Sequence, residues 1–191
     1  KVAGKSHEEL VNMVALQAME KAIYSTKNIG HFGLSLKHYT HFTSPIRRYP
    51  DLIVHRLLFR YLSGEKIPLH ELKEYEALSR YASEREVAAT AAERESIKYK
   101  QTEYMSRHIG TTFEGIITGV SERGLFIAEQ TTKTSGMIPV RAMSDDYYIF
   151  DKKTYTLIGR KKKKRYTLGN PIRVRVVSAD VENRFVDYEI L

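Results

Sequence analysis

The chain has 191 residues and a mass of 22.1 kDa, room for one full domain or for two small ones that share little interface. Hydrophobic residues make up 42% and charged residues 28%, a globular balance that excludes a disordered tail, and no apolar run approaches the roughly 20 residues of a membrane span. A formal charge of +8 favours a polyanionic partner over a membrane, and the absence of cysteine excludes disulfides, a thiolate nucleophile and sulfur-bound zinc, as suits a reducing cytoplasm.

The opening KVAGKSHEELVNM lacks the apolar stretch and small cleavage residues of a secretory leader and reads as the middle of a longer chain. Ser6 with Glu9 forms a capping box ahead of Leu10, Val11, Val14, Ala15 and Ala18, and this spacing predicts a helix over residues 6–21. The aromatic and β-branched stretch HFGLSLKHYTHFTSP, interrupted by Gly33, predicts a strand or an ordered extended segment leading into a turn at Pro45 and Pro50. Proline suits the first helical position, so the helix carrying Leu52, Ile53, Leu57, Leu58 and Tyr61 is expected to begin at Pro50 and to end at Ser63-Gly64. From Leu69 to Arg107 there is neither Gly nor Pro, which predicts one long helix or two joined by a small bend.

The character changes near Gly110, and a domain boundary is expected at 107–111. Short β-rich runs at Phe113–Val120, Gly124–Ala128, Gly136–Val140, Ile172–Ala179 and Arg184–Ile190 are the pattern of a five-stranded small barrel. The connection SDDYYIFDKKTYTLIGRKKKKRYTLGN between the third and fourth runs is of a length that is usually functional or disordered.

HYTHFTSPIRRYPD, residues 38–51, carries the most chemistry. Arg47 and Arg48 immediately precede a helix start whose free amides already favour an anion, and guanidinium groups offer a planar fork to phosphate. Tyr39, His41, Phe42 and Tyr49 supply rings for stacking on a base, and Thr43 and Ser44 supply short hydroxyl donors. In the alternative, the arginines pair with carboxylates of the long helix while the rings fill a core; residue types alone leave both open. Metal-dependent phosphodiester hydrolysis needs converging carboxylates, yet residues 1–108 contain one aspartate, Asp51, and their twelve glutamates fall largely on solvated helix faces. Histidines 31, 38 and 41 match no common ligand spacing. No complete metal site is legible.

HFGLSLKHYTHFTSPIRRYPDLIVHRLL, followed by ASEREVAATAAERE and by a β-barrel containing DDYYIFD, closely resembles the end of the catalytic domain and the adjoining S1 domain of the RNase II/RNB family of exoribonucleases, over nearly the whole chain. The resemblance implies an α+β chain in which residues 1–108 are the mainly helical C-terminal portion of an RNB domain and 109–191 an OB-fold S1 barrel. Enzymes of that family degrade RNA processively from the 3′ end with Mg2+ and release nucleoside 5′-monophosphates. Their metal-binding aspartates lie earlier in the catalytic domain, so the chain is expected to be a fragment that works with the remainder of that domain and is inactive alone. Arg47 matches the arginine that contacts the scissile phosphate, with Arg48 as support. Glu93 matches a glutamate near the RNA exit end of the channel, against the alternative of a salt-bridged surface residue, and Tyr39 and His41 shape the channel wall.

In the barrel the resemblance makes Phe126, within Gly124-Leu125-Phe126-Ile127, the ring that stacks on a base, and Asp180 and Arg184 the polar pair of the binding face. Arg123 stands where an aromatic is common and Pro139 where many members have histidine, which shifts reliance from stacking toward charge. Phe113 is expected in the core. In the run 160–165, Lys161, Lys162, Lys163 and Lys164 either grip single-stranded RNA electrostatically or form a solvated loop. The competing reading of the whole chain is a stand-alone S1-type RNA-binding module whose helical half only scaffolds the barrel.

Overall fold

A computed structural model describes residues 15, 18, 19 and 21–191. Most of the predicted helix over 6–21, including its capping box, lies outside the described residues. The chain divides into two compact units, one of residues 20–93 and one that includes 94–191.

The first unit opens irregularly. The predicted strand over the aromatic stretch does not form: a single bridge, His31 to Leu36, encloses a 3-10 turn, Phe32–Leu34. Strand formation needs a partner, and here side chains take the backbone groups instead. The His31 Nδ1 accepts from the Leu34 N–H at 3.1 Å, and Asn28 donates to the Lys37 carbonyl at 3.0 Å. The ordered extended segment is thus the form adopted.

Helix α1, Tyr49–Leu62, starts one residue before Pro50, with Arg48 at its N-cap in extended conformation. It ends as expected: the Ser63 N–H closes on the Phe59 carbonyl, and Gly64 turns away at φ +77°, a value that favours glycine. Arg60 then joins two elements. Its guanidinium meets both carboxylate oxygens of Glu71, at 2.6 and 3.0 Å, and also pairs with Glu65, so the end of α1 is tied to the start of α2, Glu71–Ser106. The Gly- and Pro-free stretch therefore makes one continuous helix of 36 residues.

In the second unit, strands β1 (Thr112–Ser121), β2 (Gly124–Glu129), β3 (Ser135–Pro139), β7 (Pro171–Asp180) and β8 (Phe185–Ile190) close into a barrel in the order β1-β2-β3-β8-β7. All neighbours are antiparallel except β3 and β8, which run parallel. This is the connectivity of the OB-fold. Alternation along β7 sends Ile172, Val174 and Val176 inward against Ile117, Leu125, Ile127, Ile138, Val186 and Tyr188. Each such side chain contributes about 1.5–3 kcal/mol on burial. Met105, near the end of α2, is fully buried in the same core, and Phe113 packs against it. Gly136 keeps β3 thin where Tyr188 crosses: a Cβ there would stand 2.5 Å from the tyrosine ring.

The 144–170 connection is an ordered antiparallel sheet of β4 (Tyr148–Asp151), β5 (Thr156–Gly159) and β6 (Arg165–Tyr166). Tyr148, Leu157 and Tyr166 are buried in the main core cluster. That apolar anchor accounts for order that the polar, cation-rich composition of the segment concealed.

Candidate nucleic-acid interface

The turn before α1 is organised by one carboxylate. Asp51 is fully buried, and its Oδ2 accepts from the Ser44 N–H and from the Arg48 Nη2, each at 2.8 Å. The Ser44 carbonyl in turn accepts from the N–H groups of Arg47 and Arg48. Burial alone pushes the Asp51 carboxyl up, but the Ser44 and Arg48 hydrogen bonds and the Arg48 charge outweigh it and hold the group below the usual carboxylate range.

Arg47 projects from this turn. It is exposed and makes no ion pair among the described residues. With Arg48, Tyr24, Tyr49, Tyr81, Arg85, Glu86 and Glu93 it lines a cavity of about 710 Å³ within the first unit. Both alternatives left by the sequence thus receive part of the answer. Arg48 is paired, though with Asp51 of its own helix rather than with α2, and Arg47 is free. The rings do not fill a core: Tyr39, Phe42 and Tyr49 are each 40–49% exposed.

Tyr39 stands edge-on between His31 and His41, at 4.9 and 5.7 Å between ring centroids. The His41 Nδ1 is 3.2 Å from the Tyr24 hydroxyl, and burial together with Glu86 pushes that phenol up to about 12. Phe42 stacks on His55, and His38 meets the side-chain amide of Asn28 at 2.7 Å. Each of histidines 31, 38 and 41 is therefore committed to a hydrogen bond. Among the described residues no three His, Asp or Glu side chains converge as metal ligands, and a divalent cation does not fit the described residues of this chain.

On the barrel, register places Gly119, Phe126, Met137, Asp187 and Ser178 in one lateral row across five strands. Phe126 faces outward, 43% exposed, over Gly119, where a Cβ would lie 3.0 Å from its ring. Replacing Phe126 by alanine is expected to weaken single-stranded RNA binding by about 1–3 kcal/mol, read by fluorescence anisotropy with the circular dichroism of the barrel unchanged. Arg123 is exposed at the β1–β2 turn, and its carbonyl accepts from the Val140 N–H.

The polar pair is placed differently from a simple binding face. Asp180 accepts from the Asn183 amide side chain and backbone N–H, which hold its carboxyl low. Arg184 sits at φ +55° with its Nε 2.8 Å from Glu95 of α2. Their four-residue separation spans the β7–β8 turn.

The basic run closes the turn between β5 and β6. The Asp146 carboxylate accepts from the backbone N–H groups of Lys161 (2.9 Å), Lys162 (2.6 Å) and Tyr147 (2.7 Å). These bonds hold it below the usual range against the opposing effect of partial burial. Lys162 reaches Asp145, and Lys164 lies 5.0 Å over the Tyr166 ring. Carboxylates at the base of the turn thus offset the mutual repulsion of the cations, whose heads stay exposed. The sequence reading missed Tyr81 and Arg85. Their only signal was the i, i+4 spacing to each other and, at Arg85, the eight-residue step to Glu93 on one helix face.

The description of the RNB domain matches residues 1–64, and that of the S1 RNA binding domain matches residues 107–190. Ribonuclease R of Aquifex aeolicus is 42% identical over 98% of this chain, and that of Thermotoga maritima is 38% identical over 95%. The chain spans about a quarter of their length (27% and 26%). Among solved structures, the apo form of Mycoplasma genitalium RNase R matches 99% of the chain at TM-score 0.85 and 31% identity, covering 30% of that protein. The same enzyme in complex with ribose-methylated single-stranded RNA matches equally well.

Proposed function

Because the chain belongs to the RNB–S1 family of ribonuclease R, we propose that it works as one part of a cytoplasmic, processive 3′ to 5′ exoribonuclease. In this reading residues 1–108 complete an RNB catalytic domain and 109–191 are an S1 barrel that recruits single-stranded RNA. The observation that carries it is the groove that an unpaired, exposed Arg47 and Glu93 line together.

Hydrolysis adds water to the phosphorus of the terminal phosphodiester, breaks its P–O3′ bond and releases a nucleoside 5′-monophosphate. Negative charge accumulates on the non-bridging oxygens at the transition state, where a preplaced guanidinium is worth most. Arg47 is held for that task by the Ser44–Asp51 turn, while Arg48, its charge already matched, fixes the turn. Tyr39 and His41 do not line this groove but stand behind Tyr24, which does, His41 meeting its hydroxyl and Tyr39 packing on His41, and Glu93 lies toward the end at which product leaves. Magnesium, when bound to carboxylates of the remaining catalytic domain, supplies Lewis-acid chemistry at the phosphate. On the barrel, Phe126 stacks a base while Arg123, Arg184 and Lys161 to Lys164 follow the backbone, with Asp180 shaping the turn that carries Arg184. Among the described residues no helix is long and apolar enough to cross a membrane.

Purified alone with magnesium, the chain is expected to bind single-stranded RNA in a salt-sensitive way and to leave it intact in a gel assay. Joining the rest of the RNB domain is expected to restore release of monophosphates. Hydrolysis by the isolated chain would instead locate the metal ligands within it and overturn this assignment.

A further inference from the structure

The wall of the groove opposite Arg47 is one face of α2, on which Leu78, Tyr81, Ala82, Arg85, Ala89 and Glu93 recur at three- and four-residue steps. Arg85 is the only cation of that face on the groove, and its guanidinium carbon lies 5.2 Å from the centroid of the Tyr81 ring, one turn earlier. Stacking on a ring holds a guanidinium's plane while leaving its edge N–H groups free to donate. Among the described residues Arg85 makes no ion pair. Of the other charges lining the groove, Arg48 is matched by Asp51, Glu86 makes no ion pair with Arg85, and Glu93 stands two turns away, roughly 12 Å along the axis at 1.5 Å per residue. Two arginines without carboxylate partners, Arg47 from the turn and Arg85 from the helix, therefore face one cavity.

We infer that Arg85, stacked on Tyr81, is a second phosphate-binding residue of the groove, gripping a backbone phosphate of the same single strand whose terminal phosphate meets Arg47. This rests on the function proposed above. It assigns to Arg85 the binding of an internal, non-reacting phosphate, so its role is to hold the strand in register, whereas Arg47 acts on the reacting one.

The test uses the full chain and a 4-thiouridine-substituted oligoribonucleotide, with crosslinked peptides mapped by mass spectrometry and affinity measured across a salt series. One phosphate contact on a single strand contributes about 0.7 to the slope of log affinity against log salt. Arg85→Gln is expected to flatten the slope by about 0.7 and to lower crosslinking to the groove peptides several-fold. Arg85→Lys, which keeps the charge, is expected to keep the slope, a distinction that a merely structural role would not produce. An unchanged slope and unchanged groove crosslinking in Arg85→Gln, alongside lost crosslinking in Arg47→Ala, would overturn the assignment of Arg85 and leave the reading of the groove intact. Crosslinks confined to the barrel in the unmodified chain would overturn both.

Discussion

Replacing Arg47 by alanine in the complete enzyme is expected to lower kcat by about 10²–10³-fold, the scale seen when one preorganised donor to a developing oxyanion is removed. KM should change little. A strand threading the groove keeps its other contacts in the ground state, so what disappears is an interaction that strengthens only as charge builds at phosphorus. Single-turnover hydrolysis alongside equilibrium RNA binding reads the two effects separately. A variant that binds several-fold more weakly yet turns over at the normal rate when saturated would demote Arg47 to a ground-state contact. Arg47→Lys should recover only part of the loss, since an ammonium keeps the charge without the bidentate geometry. The fold argues against a trivial explanation: Arg47 is exposed and unpaired, so its truncation leaves no buried partner stranded.

The barrel was the most legible part of the molecule. Its five runs are patterned clearly enough that observed and expected ends differ by at most one residue, and a one-residue slip would turn Ile172, Val174 and Val176 outward. The long helix followed from the lack of any breaker between Leu69 and Arg107. Two regions hid their structure for different reasons. In residues 31–45 the residue types favour a strand, but extended pairing is decided by a neighbour that no local sequence supplies. In 160–165 the cations dominate composition, while the groups that order them are Asp146, acting through the backbone rather than through opposite side-chain charges, and Tyr148 and Tyr166 in the core below.

The site shows the same division. TSPIRRYPD is contiguous, and so the pair Arg47 and Arg48 could be singled out from the string alone, Arg47 being preferred only through the family resemblance. That Arg47 and Arg48 differ in role is not visible there: adjacent and chemically identical, they are separated by Asp51, which captures one and leaves the other. The four-residue spacing of Asp180 and Arg184 is likewise readable, yet the partner of Arg184 is Glu95, distant in sequence. Tyr81 and Arg85 look like any solvated helix face until α2 is seen bordering the groove.

Asp51 carries the largest expected effect on stability. Its carboxylate is buried and serves two donors at once, so Asp51→Ala strands the Ser44 N–H and the Arg48 guanidinium and should cost about 3 kcal/mol, read by urea unfolding of the chain near neutral pH. The same bonds give the effect a pH signature. They hold the folded-state carboxyl below its ordinary value, so the unfolded chain takes up a proton first as the solution is acidified. The stabilisation from Asp51 is therefore complete above the unfolded value of about 3.9, and is lost as pH falls through the lower folded value. Asp51→Asn keeps the shape but has no charge to lose. Its stability deficit against the unmodified chain should be constant from neutral pH to about 5 and shrink in more acid solution. A deficit that persists undiminished at low pH would show that the side chain acts through packing rather than as an anion, and would remove the electrostatic basis for separating Arg48, held by that anion, from Arg47, left to meet phosphate.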